Sequence, residues 1–167
     1  MPRVSRDISV IRSASRGRKA HIVAGLAMAA ALLGSAVASA ALDPAEIVKA
    51  RQQDMKKLGG GMKVFMGYVK DGTGTPQDVA SAAAAMAVVV KGLPDQFPEG
   101  TAVGVGESEA LPAIWQDNAK YRQGFTDLAQ ALDKLQAAGA DKTAIGQAVQ
   151  AVGGTCKQCH ETYRQKK

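Results

Sequence analysis

The sequence predicts an all-α fold, an antiparallel four-helix bundle. Three observations predict it. Four stretches carry apolar residues at alternating steps of four and three, no stretch alternates apolar and polar residues as a half-buried strand does, and turn-forming segments separate the four. Side chains at that spacing share one helix face, and the face is stable only when buried against a neighbour.

The first helix opens at Asp43-Pro44, where Asp43 can cap and Pro44 suits the first helical position. Ile47, Arg51, Met55, Leu58, Met62, Phe65 and Val69 follow along one face. Gly59-Gly60-Gly61 interrupts this stretch. A glycine inside a helix costs about 1 kcal/mol relative to alanine. Either the helix breaks there, or the glycines let another backbone or a flat ligand approach closely. Residues 71–75 read as a turn, and Pro76 starts the second helix, with Val79, Ala83, Met86, Val90 and Leu93 on its apolar face. Residues 92–110 form a long connection containing Pro94 and Pro98. A loop of that length in a compact domain usually wraps something or carries function. Pro112 opens the third helix, which carries Ile114, Asn118, Tyr121, Phe125, Leu128, Leu132 and Leu135 and ends at Gly139. Asp141 caps the fourth, on which Ile145, Val149, Val152, Cys156, Cys159 and Tyr163 form a stripe.

Residues 1–40 read differently. Arg3, Arg6, Arg12, Arg16, Arg18 and Lys19 precede an apolar run from Ile22 to Val37, and Ala38-Ser39-Ala40 has the small-residue spacing of a signal-peptidase site. That order is the order of a secretory signal peptide, and the apolar run is short of the roughly 20 residues a membrane span needs. The expected organisation is therefore a signal peptide, 1–40, and one helical domain, 41–167, exported to the periplasm without stable membrane insertion after cleavage. The six basic side chains against Asp7 account for +5 of the +6 net charge, so residues 41–167 carry +1. The basic character is a targeting feature and gives no case for nucleic acid as a partner.

The chemistry sits in Cys156-Lys157-Gln158-Cys159-His160. C-x-x-C-H is a c-type haem attachment signature. On a helix, residues i, i+3 and i+4 share a face. Two thiols so placed can form thioethers with the two vinyl groups of one haem c, leaving the imidazole of His160 under the iron as proximal ligand. A thioredoxin-like dithiol wants strands around it, and a structural zinc site wants four ligands. Residues 41–167 offer two Cys and one His, because His21 leaves with the signal. A Cys156–Cys159 disulfide in a haem-free helical protein is the remaining alternative, and it gives His160 no role.

The domain resembles the class II cytochromes c, the cytochrome c′ family, over essentially its whole length. The resemblance rests on the C-terminal run from Cys156 to Arg164, on Arg51-Gln52-Gln53-Asp54-Met55-Lys56 in the first helix, and on the stretches 93–101 and 111–115 in the middle. It implies a haem inside the bundle and parallel to its axis, Arg51 and Gln52 near the propionates, and Arg164 near the proximal face. It also implies that Met55 holds the position opposite His160, and that a homodimer through the first two helices is available. Family members use that distal position in two ways. An apolar side chain covers an open iron site in high-spin members, and a Met ligates the iron in low-spin ones.

The expected function follows from that choice. With His160 and Met55 both on the iron, the protein is a one-electron carrier serving periplasmic redox partners, because a His/Met haem reorganises little on reduction. Met62, two turns on, is the alternative sulfur ligand, while Met66 and Met86 read as core. With the iron five-coordinate, the protein binds small gases such as NO or CO. No catalytic residues are expected: no nucleophile with a paired base and no phosphate-cradling loop occurs in the sequence.

Overall fold

The computed structural model describes residues 43–166; the expected signal peptide lies outside them. Five α-helices follow in order: α1 (Pro44–Met66), α2 (Pro76–Gly92), α3 (Ala113–Gln116), α4 (Asn118–Ala137) and α5 (Lys142–Tyr163). The four long ones form the expected bundle, and the one-turn α3 is an appendage to α4.

The helix starts are where the capping residues put them. The Asp43 side chain accepts from Ala45 N at 2.9 Å, and Asp141 Oδ1 accepts from Thr143 N and Ala144 N at 2.8 and 3.1 Å. At α2, Thr75 and Asp78 cap each other reciprocally ahead of Pro76. These contacts satisfy N–H groups that a helix start otherwise leaves unpaired.

One open alternative is decided and one expectation needs correction. The first helix does not break at Gly59-Gly60-Gly61; α1 runs through to Met66 and loosens only afterwards, into a π-helical turn at Gly67–Asp71. The wider turn shifts the helical register, which carries Val69 off the core face and leaves it 43% exposed. The third helix does not run unbroken from Pro112. Asp117 (φ −124°, ψ 51°) separates α3 from α4. Trp115 Nε1 donates to the Phe97 carbonyl at 3.1 Å and Ile114 is buried, so α3 is pulled inward off the axis of α4.

The core is the set of facing apolar stripes: Phe65 of α1, Val79, Ala83 and Met86 of α2, Leu128 and Leu132 of α4, and Ile145, Val149 and Val152 of α5. Each large side chain so buried stabilises the fold by roughly 1.5–3 kcal/mol. The seams differ. α2 packs closely on both α1 and α4, and α4 on α5, while α1 and α5 meet sparingly.

The loop from Phe97 to Leu111 bridges that sparse side. At one end it reaches α1, where Gln52 Nε2 donates to the Glu107 carbonyl at 2.7 Å. At the other it pairs with the chain leaving α5: Leu111 N donates to the Tyr163 carbonyl at 2.9 Å and Gln165 N to the Glu109 carbonyl at 2.8 Å, around an Ala110–Arg164 bridge. Gly104 (φ 99°) and Gly106 (φ 51°) supply left-handed turns that let the loop double back.

Candidate functional site

Two adjoining cavities occupy the open side between α1 and α5. The larger, about 730 Å³, is lined by Arg51, Gln52, Met55 and Lys56 of α1, by Phe97 and Glu107–Ala110 of the loop, and by Cys159, His160, Tyr163 and Arg164. Its size is that of an ordinary small-molecule site. The smaller, about 150 Å³, is walled by Met55, Leu58, Gly59 and Met62 of α1, Phe125 and Leu128 of α4, and Cys156, Cys159 and His160 of α5. Met55, Cys159 and His160 line both.

The attachment motif lies on the last two turns of α5, so its spacing becomes geometry. Cys156 and Cys159 are half-buried free thiols on the face turned to the smaller cavity. Burial raises both; Cys159, with the Cys156 charge opposing a second ionisation, is pushed up to about 11. His160 is exposed at the cavity wall. Its pKa is lowered, by desolvation first and by Arg164 second, with Glu109 opposing. The neutral imidazole this favours is the form that ligates a metal.

Arg51 is the buried charge of the site, 3% exposed. Its Nη1 donates to Thr101 Oγ1 at 2.8 Å, and its Nη2 to the Thr101 carbonyl at 2.7 Å and to Ser108 Oγ. The guanidinium also lies 4.5 Å from the Phe97 ring centroid, within cation–π range. Burial pulls its pKa below the ordinary value, yet a guanidinium stays protonated in proteins. Gln52 is held to the loop through Glu107. Arg164 Nε pairs with Glu109 Oε2 at 2.8 Å.

The residues present fit a haem. The two adjoining cavities together carry two thiols and an imidazole on one helix face, with Cys159 and His160 common to both and Cys156 on the smaller. Arg51 offers a cation for a carboxylate. Beside the cavity, the Tyr121 and Tyr163 hydroxyls are buried with no hydrogen-bond partner among the described residues. Burial raises both phenol pKa values, so both remain donors. Unpaired buried hydroxyls in a native fold call for a partner.

The structure thus brings Arg51, Gln52, Met55, Cys156, Cys159, His160 and Arg164 to one site. Met62 reaches only the smaller cavity, and Met86 is core, 2% exposed, as expected. Sequence reasoning missed the roles of Ser108, Phe97 and Tyr121 here. Tyr121 showed only as one apolar position on a helix stripe. Ser108 lay in an aperiodic loop and gave no signal.

Comparison with known proteins agrees with this geometry. The family model for Cytochrome C' matches residues 46–164. Cytochrome c' of Rhodospirillum rubrum is 38% identical over 149 residues, covering 88% of this chain and 98% of that protein. Cytochrome c-554 of Cereibacter sphaeroides is 43% identical over 115 residues, covering 68% and 83%. Among solved structures, the nitric oxide complex of a variant cytochrome c prime from Alcaligenes xylosoxidans superposes with a TM-score of 0.68 at 26% identity, covering 76% of this chain and 99% of that one. With the bundle, the C-terminal attachment motif and these matches in agreement, the chain belongs to the cytochrome c′ family and carries one covalently bound haem c.

Proposed function

We propose that this is an exported, periplasmic haem protein that binds a small neutral gas, of the NO or CO kind, on a five-coordinate iron. In this reading residues 1–40 are a cleaved signal peptide, and Cys156 and Cys159 hold the haem as thioethers. His160 is the proximal ligand, and Arg51 with Gln52 meets the propionates. The haem supplies an iron that accepts an axial ligand or exchanges one electron.

The observation that carries the reading is the wall of the smaller cavity. On its α1 and α4 sides Met55, Leu58, Met62, Phe125 and Leu128 are apolar and Gly59 and Gly124 add no side chain, while Thr155 of α5 spends its hydroxyl proton on the Val152 carbonyl at 2.8 Å. Such a wall excludes water, offers a neutral diatomic no hydrogen bond, and discriminates by crowding. The likeness to a relative solved with nitric oxide supports it further. The protein so read binds and exchanges electrons and is not an enzyme.

A second reading keeps the electron carrier with Met55 as sixth ligand. It is favoured by the position of Met55, which lines both cavities together with His160. Visible spectra of the reduced protein with and without CO separate the two. The gas-binding reading requires a high-spin spectrum that changes on CO addition, and Met55→Leu leaves the CO-free spectrum unchanged. A sharp low-spin spectrum, indifferent to CO and lost in Met55→Leu, would overturn it in favour of the carrier.

A further inference from the structure

The Arg51 side chain is a charge taken almost wholly out of water, and what replaces its hydration is a set of neutral dipoles. Desolvating a cation is costly unless fixed polar groups solvate it. Two hydroxyls and a carbonyl of the 97–111 loop do so here. Both hydroxyls are locked as acceptors. Thr101 Oγ1 spends its own proton on the Pro98 carbonyl at 2.8 Å, and Ser108 Oγ spends its proton on the Thr101 carbonyl at 2.8 Å. The Ala110 N–H, donating to Ser108 Oγ at 3.2 Å, fixes that oxygen from a further side. The lone pairs that remain point at the guanidinium. Thr101 is 0% and Ser108 6% exposed, so water does not compete.

Such a cage orients the cation without cancelling it. None of its three acceptors is charged, so the cage leaves the charge of Arg51 available to the cavity it shares with Cys159 and His160, where pairing with a haem propionate would offset that group's negative charge. In a medium of low dielectric a unit charge acts over many ångströms. Ferric haem carries one more positive charge than ferrous haem, so a fixed cation favours the ferrous form.

We propose that Thr101 and Ser108 are positioning residues for the haem's redox chemistry: they hold Arg51 in place at the cavity and, through its charge, raise the reduction potential. The couple is Fe(III) plus one electron to Fe(II), the electron coming from an external one-electron reductant; no bond in the chain forms or breaks. The proposal concerns haem potential and stands whether the iron is five- or six-coordinate.

The test is a spectroelectrochemical titration of the haem-loaded protein. Thr101→Val/Ser108→Ala removes both hydroxyls, and Thr101→Ser/Ser108→Thr keeps them. The first pair shifts the redox equilibrium toward ferric haem by about tenfold, ~59 mV for a one-electron couple. The second pair restores the parent potential. An unchanged potential in the first pair, or an equal fall in the hydroxyl-keeping pair, overturns the proposal. Should the first pair not fold, Arg51→Gln within an intact loop must lower the potential, and a parent-like value there overturns it equally.

Discussion

The three consecutive glycines of α1 have different surroundings, and this gives opposite signs to the same substitution. A Cβ built at Gly60 meets nothing within 4 Å, whereas one built at Gly61 falls 2.2 Å from Met86 Sδ and 2.7 Å from Met86 Cγ. In mid-helix, Gly→Ala gains about 1 kcal/mol from backbone entropy alone. Gly60→Ala, on an exposed position, keeps that gain. Gly61→Ala must also push aside the middle of a side chain that is only 2% exposed, and overpacking of that kind costs roughly 1–3 kcal/mol. The net for Gly61→Ala is a loss of about 1 kcal/mol, so the two variants stand ~2 kcal/mol apart. The assay is urea unfolding of the haem-loaded protein followed by far-UV circular dichroism. Adding Met86→Ala to Gly61→Ala removes the clash, so that pair costs less than the sum of its single changes. If Gly61→Ala proves as stabilising as Gly60→Ala, the α1–α2 seam is not held as close as the structure has it, and the reasoning fails.

Two further outcomes follow from the capping and charge contacts. Asp141→Ala strips α5 of the side chain that accepts from Thr143 N and Ala144 N; the expected loss is about 1 kcal/mol, seen as a lower urea midpoint with unchanged slope. Asp54 bonds Lys57 at 2.7 Å and Gln96 at 2.7 Å, and these two contacts hold its pKa below the ordinary carboxylate value. Its contribution is therefore present above the unfolded-state pKa and is lost as pH falls through the depressed folded one. The stability gap between the parent and Asp54→Asn should be constant at neutral pH and should narrow below about pH 4; a gap that widens on acidification would contradict the assigned contacts.

Much of the bundle was legible because it rests on local signals. Asp43, Pro76 and Asp141 mark helix starts by chemistry that acts within one turn, and the 4–3 spacing of Phe125, Leu128, Leu132 and Leu135 needs only the helix period to place them inward. The motif Cys156–His160 was legible for the same reason, since its spacing is itself a helical geometry. What the sequence hid was what depends on distant partners. The Gly59-Gly60-Gly61 run reads as weakness by propensity, yet the helix persists, because Leu58 and Phe65 on either side are buried and anchor it. The kink at Asp117 is set by an indole that bonds a carbonyl 18 residues earlier. Ser108 meets Arg51 across 57 residues of chain, through a loop whose path no periodicity describes.

That loop explains how the fold can leave one seam open at all. A four-helix bundle ordinarily closes each seam with interdigitated apolar side chains. Between α1 and α5 the facing side chains are Met55, Met62, Cys156 and Cys159, with Gly59 and Gly153 among them, and they are too few and too small to close it. The deficit is met by polar ties: Arg51 and Gln52 hold the loop to α1, while Tyr163, Arg164 and Gln165 hold it to the end of α5. Hydrogen bonds are directional where apolar contacts are not, so these ties fix the spacing of the two helices without filling the space between them. A site for a large flat cofactor needs that combination, walls held apart at a set distance with the interior left free. The same Arg51 that fastens the wall also lines the cavity, and the loop that looks like a connection forms part of the cavity wall.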